Sequence, residues 1–168
     1  IWTACGRWAS IFAAGAAMTG GPLLSVDSLS VAFDGVPAVR DVSFTVGRGE
    51  TVALVGESGS GKSVTALSTL RLQPGGGIIT GGRAVFDGMD LTAAPERLLR
   101  GVRGGRIGTV FQEPMTSLSP VHTIGNQIME ALLLHRTRDR REAREQAIEA
   151  LNLVGMPNAS SRIDAYPH

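Results

Sequence analysis

One sixteen-residue stretch, "VALVGESGSGKSVTAL" (52 to 67), constrains the chain more than any other. It opens as a hydrophobic strand, passes through three glycines and three serines, and continues as a segment that can be helical. Gly56, Gly61, Lys62 and Ser63 fit the spacing G-x-x-x-x-G-K-[ST], after a strand and at the start of a helix, where that spacing marks a phosphate-binding loop. Glycines at 56, 59 and 61 let the backbone curl and carry no Cβ, so successive N–H groups can face an anion. The helix N-terminus adds unpaired donors and the positive end of its dipole. Across Gly56, Glu57, Ser58, Gly59, Ser60 and Gly61 the loop offers backbone donors. Lys62 reaches the β- and γ-phosphates of a nucleotide, and the Ser63 hydroxyl ligates the magnesium ion that bridges them. Fifteen of the sixteen basic residues are arginine, and the one lysine is Lys62, where a compact ammonium suits a phosphate.

Composition narrows the classes without choosing among them. A chain of 168 residues, 43% of them apolar, is long enough for one domain with a core. Its net charge of +1 calls for neither nucleic acid nor an anionic surface, so function has to be argued from sites. A single cysteine, Cys5, allows no internal disulfide and no multi-cysteine metal site. Residues 8 to 18, "WASIFAAGAAM", are apolar after Arg7, yet Met18 reads as the natural start. Residues 1–22 are therefore expected to be an extension, disordered or spurious, and residues 23–168 the folded domain.

The rest of the pattern is that of an α/β chain. "LLSVDSLSVAF" (23 to 33) and "AVRDVSFTV" (38 to 46) alternate as strands around the turn "DGVP". "TVALVG" reads as a buried strand, the helix from Lys62 runs to about Leu72, and "QPGGG" ends it. A short strand is expected at 82 to 88, a helix from Pro95, and a buried strand at 106 to 112, "RIGTVFQ". "VHTIGNQIMEALLLH" and "RDRREAREQAIEALNLVGM" are helical by period. In the second, Arg138–Glu142 and Arg141–Glu145 are expected to pair at i,i+4 on a solvated face. The whole implies a P-loop core with a RecA-like parallel sheet, an antiparallel β subdomain and the start of an α-helical subdomain.

"GESGSGKS" (56 to 63), "FQEPMTSLSP" (111 to 120), "HTIGNQI" (122 to 128) and the closing "YPH" together resemble the ATP-binding subunits of ABC transporters, of the dipeptide and oligopeptide importer type. The likeness is collinear from about 23 to 168. It implies ATP and Mg2+ as cofactors. Gln112 falls at the family's glutamine that helps bind magnesium and the attacking water, and Phe33 where an aromatic ring stacks on adenine. An aromatic ending an alternating strand serves equally as core. Glu113 is not read as the catalytic acid: in the family that residue, the magnesium-binding aspartate, the signature loop and the switch histidine lie on segments expected after His168. His122, His135 and His168 match no switch context.

The resemblance further implies transmembrane permease subunits and a second ATP-binding subunit as partners, a periplasmic or extracellular solute-binding protein acting indirectly, and no nucleic acid. It places the protein peripherally on the cytoplasmic face of the inner membrane. A GTPase needs N-K-x-D, which a chain whose only lysine is Lys62 does not contain. A small-molecule kinase leaves 111 to 128 unexplained. A subunit that binds without turnover stays open.

Overall fold

The computed structural model describes residues 13–14, 21–111 and 117–168. Gln112 and Glu113 lie outside the described residues, as does nearly all of the expected 1–22 extension. The chain divides into two units, Ile1–Leu99 and Arg100–His168.

The first unit is built on an antiparallel sheet. Strands β2 (Leu24–Phe33), β3 (Val36–Val46), β5 (Gly77–Phe86) and β6 (Met89–Asp90) lie in the order β3-β2-β5-β6. A separate pair joins β1 (Ala13–Ala14) to β4 (Thr51–Val52). The turn Asp34–Gly35, with φ of 49° and 79°, closes the β2–β3 hairpin. Alternation sends Val26, Leu29, Val31, Val39, Val42 and Ala84 to one buried face, and Val64 of helix α1 (Lys62–Thr69) packs against them.

The middle of this sheet is irregular. The register shifts around Ser28, whose φ is 49°, and opposite it around Gly82, whose φ is 77°. A Cβ at Gly82 would lie 2.3 Å from the Ser28 carbonyl group, so only glycine fits. Two hydroxyls take over displaced ladder bonds: Ser43 Oγ accepts from Ser28 N at 2.8 Å and Ser30 Oγ from Asp41 N at 3.0 Å.

The second unit is helical. Helices α3 (Ile124–His135), α4 (Arg140–Leu153) and α5 (Ala159–Arg162) enclose Met129, Ala143, Ala147, Leu151, Ala159 and Ile163. Helix α2 (Glu96–Val102) contains the division between the units. Gly125 lets α3 meet the chain after α5, since a Cβ there would lie 2.6 Å from the Ile163 carbonyl oxygen. Carbonyls of that segment satisfy the open end of α3, Gly125 N donating to Ile163 O (2.7 Å) and Ile124 N to Ala165 O (2.9 Å).

Two expectations need correction. Residues 106 to 111 form no strand beyond one bridge between Arg103 and Ile107, and Val110 is 99% exposed. Of 51 to 56 only Thr51–Val52 is laddered. A parallel strand is held by neighbours on both edges and helices on both faces, and among the described residues these two segments do not pair with each other. The second correction concerns Glu142, which accepts from Thr137 Oγ1 and Gln146 Nε2 rather than from Arg138. Arg141–Glu145 does form, at 3.2 Å, on a fully solvated face.

Candidate phosphate-binding loop

The loop from Gly56 to Ser63 joins β4 to α1 as its spacing requires. Gly59 and Gly61 take φ of 78° and 88°, left-handed positions that suit glycine. Ser60 N donates to Glu57 O at 3.2 Å, which makes the tight turn. At Gly56 a Cβ would first meet the rotatable Ser60 hydroxyl, with Oγ at 2.7 Å.

Gly61 both enters the helix and touches the sheet. A Cβ on it would stand 2.9 Å from the Ala38 carbonyl oxygen and 3.3 Å from Val39 Cγ2. Helix α1 therefore starts directly against β3, and packs on β2 and β5 as well. Its N-cap is glycine, no side chain caps it, and no acid lies in its first turn. The first N–H groups of a helix have no partner within it, so nothing from a side chain competes with an anion here. Thr65 closes the turn behind them, its N–H and Oγ1 both donating to Gly61 O, at 2.8 and 2.9 Å.

Lys62 folds back over the loop. Its Nζ donates to Gly56 O (2.8 Å), Glu57 O (2.7 Å) and Ser60 Oγ (3.3 Å). Three oxygens of the loop thus hold the ammonium where it also keeps the loop curled. The Ser63 hydroxyl next to it is exposed. That suits a hard cation carried in on a polyphosphate, which needs only one or two protein oxygens and keeps its waters. Among the described residues no group of three or more His, Cys, Asp or Glu side chains could hold a metal by itself.

Phe33 stands apart from these contacts. It ends β2 half-buried on the sheet's core, and its ring edge lies against Gly77 of β5, where a Cβ would come within 2.8 Å of it. The sequence reading gave Gln127 no role, yet it organises its segment. Its Oε1 accepts from Ser119 N (2.7 Å), and its Nε2 donates to Ser119 O and His122 O, both at 3.0 Å. No local pattern marks this role, because its partners Ser119 and His122 lie outside the helix that carries it.

A strand, a glycine loop, a lysine turned onto the loop carbonyls and an uncapped helix thus follow one another in the order that the spacing predicts. The ABC transporter family profile matches residues 39–168. This chain belongs to the ABC transporter family. A protein of Brucella abortus (strain 2308) named "Putative peptide import ATP-binding protein" is 50% identical over 157 residues, covering 88% of this chain and 46% of that protein. "Peptidoglycan transport ATP-binding protein YejF" of Agrobacterium fabrum is 53% identical over 152 residues, 88% of this chain and 28% of that one. The chain thus spans about half the length, or less, of these curated relatives.

The fold agrees. A dimeric ATP-binding cassette in a post-hydrolysis state, bound to ADP and Pi, superposes with a TM-score of 0.71 at 23% identity, over 86% of this chain and 61% of that one. An ATP-binding subunit of an ABC transporter gives 0.63 at 24% identity, over 86% and 54%. The P-loop cassette fold expected from the sequence is the fold of this ABC transporter chain. No helix among the described residues is long and apolar enough to cross a membrane.

Proposed function

We propose that this chain is part of an ATP-binding subunit that couples ATP binding and hydrolysis to uptake of peptides, or a related small solute, across the inner membrane. The observation that carries the reading is the uncapped start of α1 with Lys62 held on the Gly56 and Glu57 carbonyls. An incoming triphosphate exchanges with those carbonyls for the ammonium, and the N–H groups of the loop and of the first helical turn take its oxygens. The names of relatives at 50% to 53% identity support peptides or peptidoglycan pieces as the cargo class.

Within that reading, residues 23–168 form the nucleotide-binding domain. Ser63 and Gln112 are the protein's ligands to Mg2+, and Phe33 is the ring beside adenine. Magnesium, when bound, neutralises charge between the β- and γ-phosphates. Gln112 suits a place beside metal and water because a neutral amide accepts and donates without adding negative charge. The partners are two permease subunits, a second ATP-binding subunit and, indirectly, a solute-binding protein outside the membrane. The subunit sits peripherally on the cytoplasmic face.

Two measurements test this. Titration of the chain with ATP and magnesium should show saturable binding that inorganic triphosphate competes away; an absence of competition removes the cradle. Deleting the gene should abolish uptake of labelled di- or oligopeptides by the cells. Unchanged peptide uptake refutes the cargo assignment.

A further inference from the structure

Phe33, the ring that the proposed function sets beside adenine, is walled on one side by its β5 neighbour. The β2–β5 ladder pairs it with Gly77, and a Cβ at Gly77 would lie 2.8 and 2.9 Å from Cε1 and Cζ of the ring. The same Cβ would lie 2.8 Å from Cγ of Gln73, so ring, glycine and glutamine stem meet at one point. Gly77 takes no left-handed torsion. Space alone calls for glycine here.

Gly77 is also fixed in place. Its N–H donates to Pro74 O at 3.1 Å, and its carbonyl accepts from Gln73 Nε2 at 3.1 Å. The second bond leaves Gln73 Oε1 buried with no hydrogen-bond partner among the described residues, a cost that an apolar side chain filling the same space would not carry. What the amide contributes is therefore its grip on Gly77.

The other side of the ring is open. There Phe33 pairs with Val36 of β3, which is 69% exposed. Two residues further along β3, about 7 Å away, Ala38 abuts Gly61 of the glycine loop. A base whose phosphates lie on that loop reaches the ring from the β3 side, while β5 closes the opposite side.

We propose that Gly77 and Gln73 are positioning residues for the nucleotide base: they form the back of a slot that sets where the Phe33 ring stands, and so how well it stacks. The inference rests on the placement of Phe33 beside adenine and extends it to two residues that act through the ring. A methyl group at position 77 would push the ring by about 0.7 Å, from 2.8 Å to the roughly 3.5 Å at which carbon atoms meet.

Calorimetric titration of the chain with ATP and, separately, with inorganic triphosphate, each with magnesium, tests it. The ratio of the two affinities isolates the base from the phosphates. Loss of aromatic stacking in Phe33→Ala should lower that ratio roughly tenfold. A displaced ring forfeits up to about half of its contact energy, so Gly77→Ala should lower the ratio about threefold, with triphosphate affinity unchanged. Gln73→Ala, which removes the other wall, should lower it in the same direction. If Phe33→Ala lowers the ratio and either of the other two does not, the slot is overturned while the adenine assignment stands. A ratio unmoved by Phe33→Ala overturns the adenine assignment, and the slot with it. Equal losses of ATP and triphosphate in Gly77→Ala overturn the positioning role in favour of a structural one. In the unaltered chain, a nuclear Overhauser contact between the Gly77 α-protons and the Phe33 ring should persist when ATP is added. Its disappearance overturns the slot, whatever the folding of the variants.

Discussion

Gly61 and Ala38 approach so closely that a Cβ on the glycine would stand 2.9 Å from the alanine carbonyl oxygen. This contact places the start of α1 against β3 and so sets where the uncapped N–H groups of its first turn point. Gly61→Ala combines a left-handed torsion with that overlap, and is expected to cost about 2–4 kcal/mol in urea unfolding. Gly59 separates the two causes. Its φ is 78°, but nothing lies within 4 Å of a Cβ placed there. Gly59→Ala should therefore cost only the torsional part, about 1 kcal/mol. Equal losses at the two positions would contradict the packing role of Gly61.

Replacing Lys62 should weaken ATP binding less than a simple count of lost contacts suggests. A charged hydrogen bond to phosphate contributes on the order of 1.5–3 kcal/mol, or ten- to a hundredfold in affinity. In the free protein, however, the ammonium already has three oxygen partners, which it gives up on binding. Lys62→Ala should thus fall near the tenfold end of that range in calorimetric titration with ATP. Turnover by the complete subunit should suffer more, because charge on the transferring phosphoryl group is spread in the transition state. Unchanged turnover would falsify the assignment of Lys62 to the phosphates.

Much of this arrangement was legible in the sequence because its signals are local. Alternation gave β2 and β3, helical period gave α3 and α4, and the spacing of Gly56 to Ser63 gave the glycine-rich entry into α1. What escaped depends on partners distant in the chain. β5 begins at Gly77, five residues before the expected strand, since glycines at 77, 81 and 82 hide its alternation. The bulge that needs Gly82 exists only when Ser28 faces it. In "RIGTVFQ" the apolar run specifies a wish for burial but not a neighbour, and Val110 stands exposed. Gln127 was quoted within "HTIGNQI", but an amide reveals its use only once Ser119 and His122 are beside it.

Gln127→Ala should loosen one loop and spare the helix that carries it. The amide bridges Ser119 in both directions, much as a backbone partner does, and its loss leaves Ser119 N and two carbonyls without it. Helix α3 keeps its other anchors, Thr123 at its N-cap and the carbonyls of Ile163 and Ala165. Amide hydrogen exchange should accelerate at Ser119 while Ile124 and Gly125 stay protected. Equal acceleration at all three would mean that Gln127 supports α3 as a whole.

Acid should destabilise the first unit partly through Asp90. Its Oδ1 accepts from Thr92 Oγ1 (2.6 Å), Thr92 N (2.9 Å) and Ala93 N (3.3 Å), closing the turn after β6. The Thr92 hydroxyl bond, joined by the two backbone bonds, holds the carboxyl below its usual range against the opposing effect of burial. A carboxylate with a lowered folded-state pKa binds fewer protons in the native than in the unfolded protein. Its stabilisation is therefore fully present above the ordinary aspartate range, and is lost as pH falls through that range to the lowered value. Asp90→Asn keeps an acceptor oxygen but cannot titrate. The variant should be less stable than the unaltered chain at neutral pH, because an amide accepts these three bonds more weakly than a carboxylate. The difference in thermal midpoint should shrink as the pH is lowered through the acid range. A difference that stays constant with pH would show that the charge on Asp90 does not contribute.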